Sequence, residues 1–486
     1  MAAPTGISGT GAITTTGRIG DGPHGSAGSG SGDFDVFALQ TSAGLTITVD
    51  TRASTLDTLV ALYNATGELV ALDDDGGGNL TSLLRYRVPT TGTYYALVSG
   101  FFSLPEDPFD SGSGLGAGEE GNYSVIVSAS PTDADWYSVD LRKGDVVGST
   151  VSGSAGTLSV FKPNGTEAVT APRLDATFLY PPSSPLPGGG NTSLAYVTEE
   201  SGRYAIRVED GEGSYDTTVE VYRPGTEIDP SRAKQTVFLD FDGARVNTGK
   251  WGGPGVRTLS PFSAFIGKWG LTNAQEATLV NRITAEVREN IKTDPATRSI
   301  VPAVDVTVVN SRTSPDIYGK PNVMRVIIGG TIEQSGIPTI GIAQYIDPGN
   351  YGHEDDALVL LDVLSDADEG DEAQASADGA SLNTYLEASS DRVGFVSRAI
   401  GNIVSHEIGH TLGNYHTDSL NTRRNVMDEG GCCFGTNLYA VGPDHVGGTA
   451  DDPDRDFVTD TFSQFEGFLG NEDTLNVTAW AYAARR

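Results

Sequence analysis

Two stretches of this chain spell out the same order of strand-like segments, and that repetition limits the fold more than any other feature of the sequence. DFDVFAL (33–39) returns as DADWYSVDL (133–141), and TLVALYNATGE (58–68) returns as TLSVFKPNGTE (157–167). The closing pieces TGTYYALV (91–98) and GNYSVIV (121–127) return as SGRYAIRV (201–208) and GSYDTTVEV (213–221). Within each copy apolar and polar residues alternate between Gly, Asn, Asp and Thr turns, the period of two that a half-buried strand requires. Two tandem β-sandwiches are therefore expected, over 33–128 and 129–224. Residues 1–32 contain SGTGAITTTG and GPHGSAGSGSG, too poor in large apolar side chains to offset the entropy of ordering. A flexible leader is expected there.

The chain has 486 residues, more than two such units need. RPGTEIDPSRA (223–233) breaks the β pattern and reads as a linker, so a third domain is expected over 234–486. That region alternates strands and helices. LTNAQEATLVNRITAEVRENIKT (271–293) places Leu279, Val280, Ile283, Val287 and Ile291 on one helical face, with Asn273 and Glu276 at capping-box spacing. QTVFLDFDG (235–243), DVTVVN (305–310), VMRVIIGG (323–330), IAQYID (342–347) and ALVLLDV (357–363) read as strands, and VGFVSRAIGNIVSHEIGHTLG as a second long helix. SDADEGDEAQASADGAS (365–381) reads as a solvated acidic loop.

Asp and Glu total 64 against 31 Lys and Arg, a formal net charge of -33, which repels polyphosphates and anionic lipid. Nucleic acid is not an expected partner. Seven of the basic residues are Lys, and an acidic excess with few Lys suits either a surface hydrated at high ionic strength or one that collects Ca²⁺. No apolar run approaches the roughly 18 residues of a membrane-spanning helix, so no membrane span is expected. The two cysteines, Cys432 and Cys433, are adjacent and cannot staple the fold. They could form a vicinal disulfide, stay reduced or act as a thiol lock on a metal. The first residues lack the basic and apolar regions of a secretory signal, which was either removed or never there.

Residues 406–416 read HEIGHTLGNYH and hold three of the six histidines. On a helix His406 and His410 are one turn apart on one face, so both imidazoles can reach one Zn²⁺. Glu407 lies beside that face, placed to take a proton from a zinc-activated water. Gly413 tolerates the left-handed turn that brings His416 back as a third ligand. Three protein ligands leave one position for water or substrate, the catalytic arrangement.

Met427, in NVMD (425–428), follows eleven residues after His416. With it the region resembles the metzincin metallopeptidases, H-E-x-x-H-x-x-G-x-x-H followed by a Met-turn. The resemblance spans residues 234–486 and implies His406, His410 and His416 as zinc ligands, Glu407 as general base, and Met427 as an apolar floor beneath the metal. Some branches of that family carry a Tyr two residues past the Met. Here Glu429 stands there, and no fifth ligand is assigned. The repeated units resemble bacterial pre-peptidase C-terminal domains, jelly-roll-like modules usually attached to secreted peptidases, through D-x-D-x-[FWY]-x-[FV] and G-x-Y-x-[ALI]-x-V. In that family the module commonly follows the peptidase; here both copies precede the remaining domain, and no processing role carries over.

The resulting expectation is a multidomain protein, two all-β jelly-roll-like sandwiches followed by an α/β (α+β) metzincin-like domain. Its implied function is that of a secreted, monomeric, zinc-dependent endopeptidase acting on protein or peptide substrates. The competing class is an extracellular binding or adhesion protein with an inactive zinc domain. Two Gly-containing acidic loops, DDDGGGN (73–79) and DHVGGTADDPDRDF (444–457), suit Ca²⁺ in a structural role, with Asp444, Asp451, Asp452 and Asp454 as candidate ligands.

Overall fold

The computed structural model describes the chain apart from residues 1–2, 22–32, 102, 106, 111–112, 114–118, 132–133, 212, 225–233, 299, 302, 368–379, 431–432 and 484–486. Most of it is β-sheet, arranged as sandwiches, with a few helices gathered in the C-terminal half. Among the described residues no helix is long and apolar enough to cross a membrane.

In the first sandwich a five-stranded sheet runs in the order Ala3–Ser8, Asp35–Thr41, Gly92–Gly100, Thr58–Tyr63, Leu69–Asp73. It faces a four-stranded sheet in the order Gly11–Ile19, Gly121–Pro131, Leu45–Asp50, Leu83–Arg87. Alternate residues from both sheets, among them Leu39, Val49, Val60, Val98 and Val127, fill one core.

The expected leader is corrected over residues 3–19, which form two strands of this sandwich. Ala3–Ser8 pairs in parallel with Asp35–Thr41, and Gly11–Ile19 pairs along its whole length with Gly121–Pro131. Large apolar side chains are few, but Ile7 and Ile19 reach the core and Ile13 packs against it. The neighbouring strands satisfy the backbone, so short Thr and Ala residues suffice between them. The rest of the expected leader, 22–32, falls outside the described residues.

The second sandwich pairs a three-stranded sheet, Thr192–Val197, Val146–Gly153 and Tyr215–Tyr222, with a six-stranded one. The six run in the order Ala134–Leu141, Gly202–Glu209, Thr157–Phe161, Glu167–Pro172, Leu469–Asp473, Thr459–Thr461. The last two come from the far end of the chain, so the expected boundaries of 129–224 and 234–486 do not separate two independent units. Val169 and Thr170 pair with Gly470 and Leu469, and Tyr415, Phe462, Phe468 and Val477 enter the core of this sandwich. TDT and LGNED are too short and polar to be recognised as strands alone. The linker lies outside the described residues over 225–233.

A five-stranded sheet centres the C-terminal region, in the order Val306–Asn310, Gln235–Asp240, Val323–Ile328, Asp356–Val359, Gly341–Ala343. All neighbours are parallel except the edge strand Gly341–Ala343, which runs antiparallel to Asp356–Val359. Of the expected strand 342–347 only its start pairs; at Asp347 the chain has turned away and donates its N–H to the carbonyl of His410, 3.2 Å. The amphipathic helix forms over Glu276–Arg288 and continues as a wider turn, Glu289–Thr293. Its capping box is Thr272 with Gln275, one residue earlier than Asn273 with Glu276. The second helix, Arg392–Thr411, is buried all round from Phe395 onward except at Arg398, because it lies between the sheet, the first helix and the C-terminal loops. Gly401 lets the helices approach: a Cβ there would sit 2.6 Å from Cβ of Glu286. Of the acidic segment 365–381, residues 368–379 are outside the described ones, and the flanking Ser365 and Ala380 are buried.

Removing residues 1–21 uncovers the core beside Gly121–Pro131, where each buried aliphatic side chain contributes roughly 1.5–3 kcal/mol. The truncated protein is expected to melt at least about 5 °C lower by calorimetry, whereas loss of a mere leader would leave the transition in place.

Candidate active site

Asp391 caps the long helix, its carboxylate accepting from the Gly394 N–H at 3.0 Å, and the helix delivers His406, Glu407 and His410 to its buried C-terminal turns. It stops at Gly413, whose φ of +105° a residue with a side chain rarely adopts. A Cβ there would also lie 2.4 Å from Cα of Pro348. The reversal carries His416 back over the helix end.

The three imidazoles converge. Nε2 of His410 lies 3.2 Å from Nε2 of His406 and 3.2 Å from Nε2 of His416. Nitrogens bound at about 2.0–2.1 Å to one tetrahedral ion sit roughly 3.3 Å apart, so the set already has the spacing of a zinc site. Every Nδ1 faces an acceptor: the Val426 carbonyl at 2.7 Å from His406, the Asn414 carbonyl at 2.9 Å from His410, and Glu466 at 2.5 Å from His416. With a proton held on each Nδ1, the Nε2 lone pairs of His406 and His410 point at one another. A cation relieves that repulsion, and neutral nitrogen donors suit Zn²⁺.

Burial pushes His410 down to about 3 and His406 well below the ordinary histidine value, so both stay neutral and ready to bind metal. Burial acts on His416 in the same sense, but its bond to Glu466 and the charges of Glu466 and Glu429 prevail and raise it. Glu407 is driven up to about 8 by burial, with the field of His416 opposing. Its carboxylate fills the space left by Gly341 on the antiparallel edge strand, where a Cβ would stand about 2.1 Å from Oε1. Of the three imidazoles His416 is the one that reaches solvent, with 32% of its side chain exposed.

Met427 is fully buried, its Sδ 2.4 Å from where a Cβ on Gly409 would be, so glycine at that turn of the helix leaves room for the thioether. Asn425 Oδ1 accepts from the Met427 N–H at 3.1 Å, and Asp428 accepts from Thr417 Oγ1 at 3.0 Å and from the Asn425 N–H at 3.2 Å. Those bonds tie the Met-containing turn to the strand-like segment after His416. Glu429 accepts from Ser463 Oγ beside the third imidazole.

The sequence reading missed Glu466, Gly341 and Ser463. None has a local motif: Glu466 is fifty residues past the histidine it meets, on a helical turn, Gln464–Glu466, between two short strands.

Among the described residues no three of the candidate calcium ligands Asp444, Asp451, Asp452 and Asp454 form a close carboxylate group. Asp452 accepts from the N–H groups of Gly442, Gly448 and Thr449, Asp451 from Asp444 and Thr449, and Asp454 from Arg455, so their carboxylates cap turns of their own loop. Among the described residues carboxylates do gather at Asp57, Asp74 and Asp75, on and beside the other acidic loop, and at Glu289, Asp294 and Asp456. Cys433 is exposed at a positive φ of 58°. Its neighbour Cys432 is outside the described residues.

No family model matches the chain, and no curated protein matches it. Among solved structures it is similar to PliG of Aeromonas hydrophila, a periplasmic inhibitor of g-type lysozyme, at 17% identity over 26% of this chain and 95% of that one, TM-score 0.18. It is also similar to the pre-peptidase C-terminal domain of a Bacillus anthracis collagenase, at 14% identity over 26% of this chain and 94% of that one, TM-score 0.17. Both cover about a quarter of this chain, and at these scores they assign no activity.

Were Zn²⁺ to bind here, His416 would have to lose a proton that its raised pKa favours keeping. Zinc affinity, measured by competition with a chromophoric chelator, is expected to fall about tenfold per pH unit once the pH drops below the His416 pKa. One ion should bind per chain, and His410→Ala should abolish it.

Proposed function

We propose that this chain is a zinc-dependent endopeptidase of metzincin type that hydrolyses protein or peptide substrates outside the cell. The observation that carries the reading is the placement of Glu407 beside three convergent imidazoles, of which His416 is partly exposed. His406, His410 and His416 would hold the ion. When bound, Zn²⁺ supplies Lewis acidity, making water a nucleophile near neutral pH and polarising the scissile carbonyl. Glu407 accepts the proton of the attacking water and then delivers it to the departing amine, so one carboxylate serves as base and acid. Burial favours holding that proton between the two transfers, and the nearby positive charge favours releasing the carboxylate at the start. The order of the sheet supports the same reading, because the antiparallel strand Gly341–Ala343 lies next to Glu407 and is the outermost strand of its sheet among the described residues. Secretion rests on the resemblance of the repeated units to modules of secreted peptidases.

Glu407→Gln is expected to lower kcat on unfolded casein by at least about 10²-fold while one zinc per chain is retained. Gly341→Ala, which crowds the carboxylate without touching a ligand, is expected to lower kcat with zinc affinity unchanged. Equal rates for Glu407→Gln and the parent would reject the peptidase and leave a zinc-binding protein.

A further inference from the structure

Glu466 reaches His416 from a segment that belongs to the second sandwich as much as to the metal site. The strands Thr459–Thr461 and Leu469–Asp473 form a hairpin that extends the sandwich sheet beyond Glu167–Pro172. Its connecting loop turns toward the histidines. There the Ser463 N–H donates to the His416 carbonyl at 2.9 Å, Ser463 Oγ donates to Glu429, and Glu466 accepts from His416 Nδ1. On the flanks, Asp418 N–H donates to the Thr461 carbonyl at 3.0 Å and Tyr415 N–H to Glu472 at 3.0 Å. The residues on both sides of His416 are therefore bound to the same hairpin.

Tyr415 continues the connection into the sandwich. Its ring packs on Phe468 and Phe462, with centroids 4.7 and 6.3 Å away, and its hydroxyl meets that of Tyr180 at 3.3 Å. Tyr180 belongs to the sandwich core, and all four aromatic side chains are buried together. His406 and His410 take their directions from a rigid helix and from backbone carbonyls. His416 has no regular element under it, and among the described residues its Nδ1 is held by Glu466 of this hairpin.

We infer that the second sandwich is a working part of the metal centre: by clamping the 459–473 hairpin it sets Glu466 as the positioning residue for His416, and thereby the direction of the third Nε2. The inference rests on the zinc reading above. A carboxylate on the far nitrogen of a ligating imidazole fixes its tautomer and orientation, and loss of such a partner typically lowers metal affinity about 10–100-fold.

The test is Zn²⁺ affinity of the full chain, by chelator competition at fixed pH, with the melting temperature of the zinc-free protein recorded alongside. Glu466→Ala is expected to weaken zinc binding about 10–100-fold with the zinc-free melting temperature unchanged, and Glu466→Gln, whose amide oxygen still accepts from Nδ1, to recover most of the loss. Should Glu466→Ala fail to fold, Glu466→Asp, one methylene shorter, gives the same reading. Tyr180→Ala, at a distance from the ion and wholly within the sandwich, is expected to weaken zinc binding by at least about threefold in a protein that still folds. Affinity within twofold of the parent for Glu466→Ala overturns the positioning role, and unchanged affinity in Tyr180→Ala overturns the part given to the sandwich. If the parent chain binds no zinc, the zinc reading itself falls and this one with it, an outcome distinct from either variant result.

Discussion

Three imidazoles crowded into a largely buried corner, the Nε2 of His410 3.2 Å from that of each neighbour, are a repulsive arrangement, and much of the C-terminal half helps to maintain it. Free rings would rotate away. They are prevented because each far nitrogen is tied down: two to backbone carbonyls and one to a carboxylate. The carbonyl for His406 comes from Val426, next to Met427, so the turn that carries Met427 also orients a candidate ligand. The carbonyl for His410 comes from Asn414, within the reversal that Gly413 permits. Each of these turns serves the convergence.

Much of this is legible in the residues because it depends on local spacing. The separation of His406 and His410 fixes their shared face on any helix, and the need for glycine at Gly413 follows from where His416 must go. The core strands are equally legible, since alternation and short β-branched runs suit a pleated, half-buried backbone better than a helix. What is not legible is what depends on partners distant in sequence. Glu466 is an ordinary acid in a polar stretch until the hairpin pairs with Glu167–Pro172, nearly 300 residues earlier. Gly341 looks like a turn residue, and its role emerges only when the edge strand lies against Glu407.

Two further differences between sequence and fold share a cause. The first residues read as a leader because composition counts apolar side chains, whereas a strand added to an existing sheet needs mainly backbone partners and an occasional Ile on the inner face. The acidic loop 444–457 reads as a cation site because composition counts carboxylates. In the fold those carboxylates accept N–H groups of their own loop, and accepting a backbone hydrogen bond answers the same electrostatic demand as binding an ion.

The two repeated units also show that a duplicated fold need not be attached in the same way twice. Contacts of the first sandwich with the second include a polar one: Arg85 donates to the Asp210 carbonyl at 2.9 Å. Close by on the second unit, the buried Arg207 pairs with Glu209 at 2.6 Å and lies over the ring of Phe161, 4.8 Å from its centroid. Burial is the larger influence on Glu209 and lifts it to about 7 despite Arg207, so burying this charge carries a cost that its partner does not fully offset. The second sandwich meets the C-terminal region differently, through strand pairing and a shared apolar core that contains Tyr415, one residue before a candidate ligand. Apolar burial and ladder hydrogen bonds tie two units into one cooperative body more firmly than marginal charge pairs do. A single repeated pattern thus yields one unit joined in part through charges and one whose core continues to the candidate metal site.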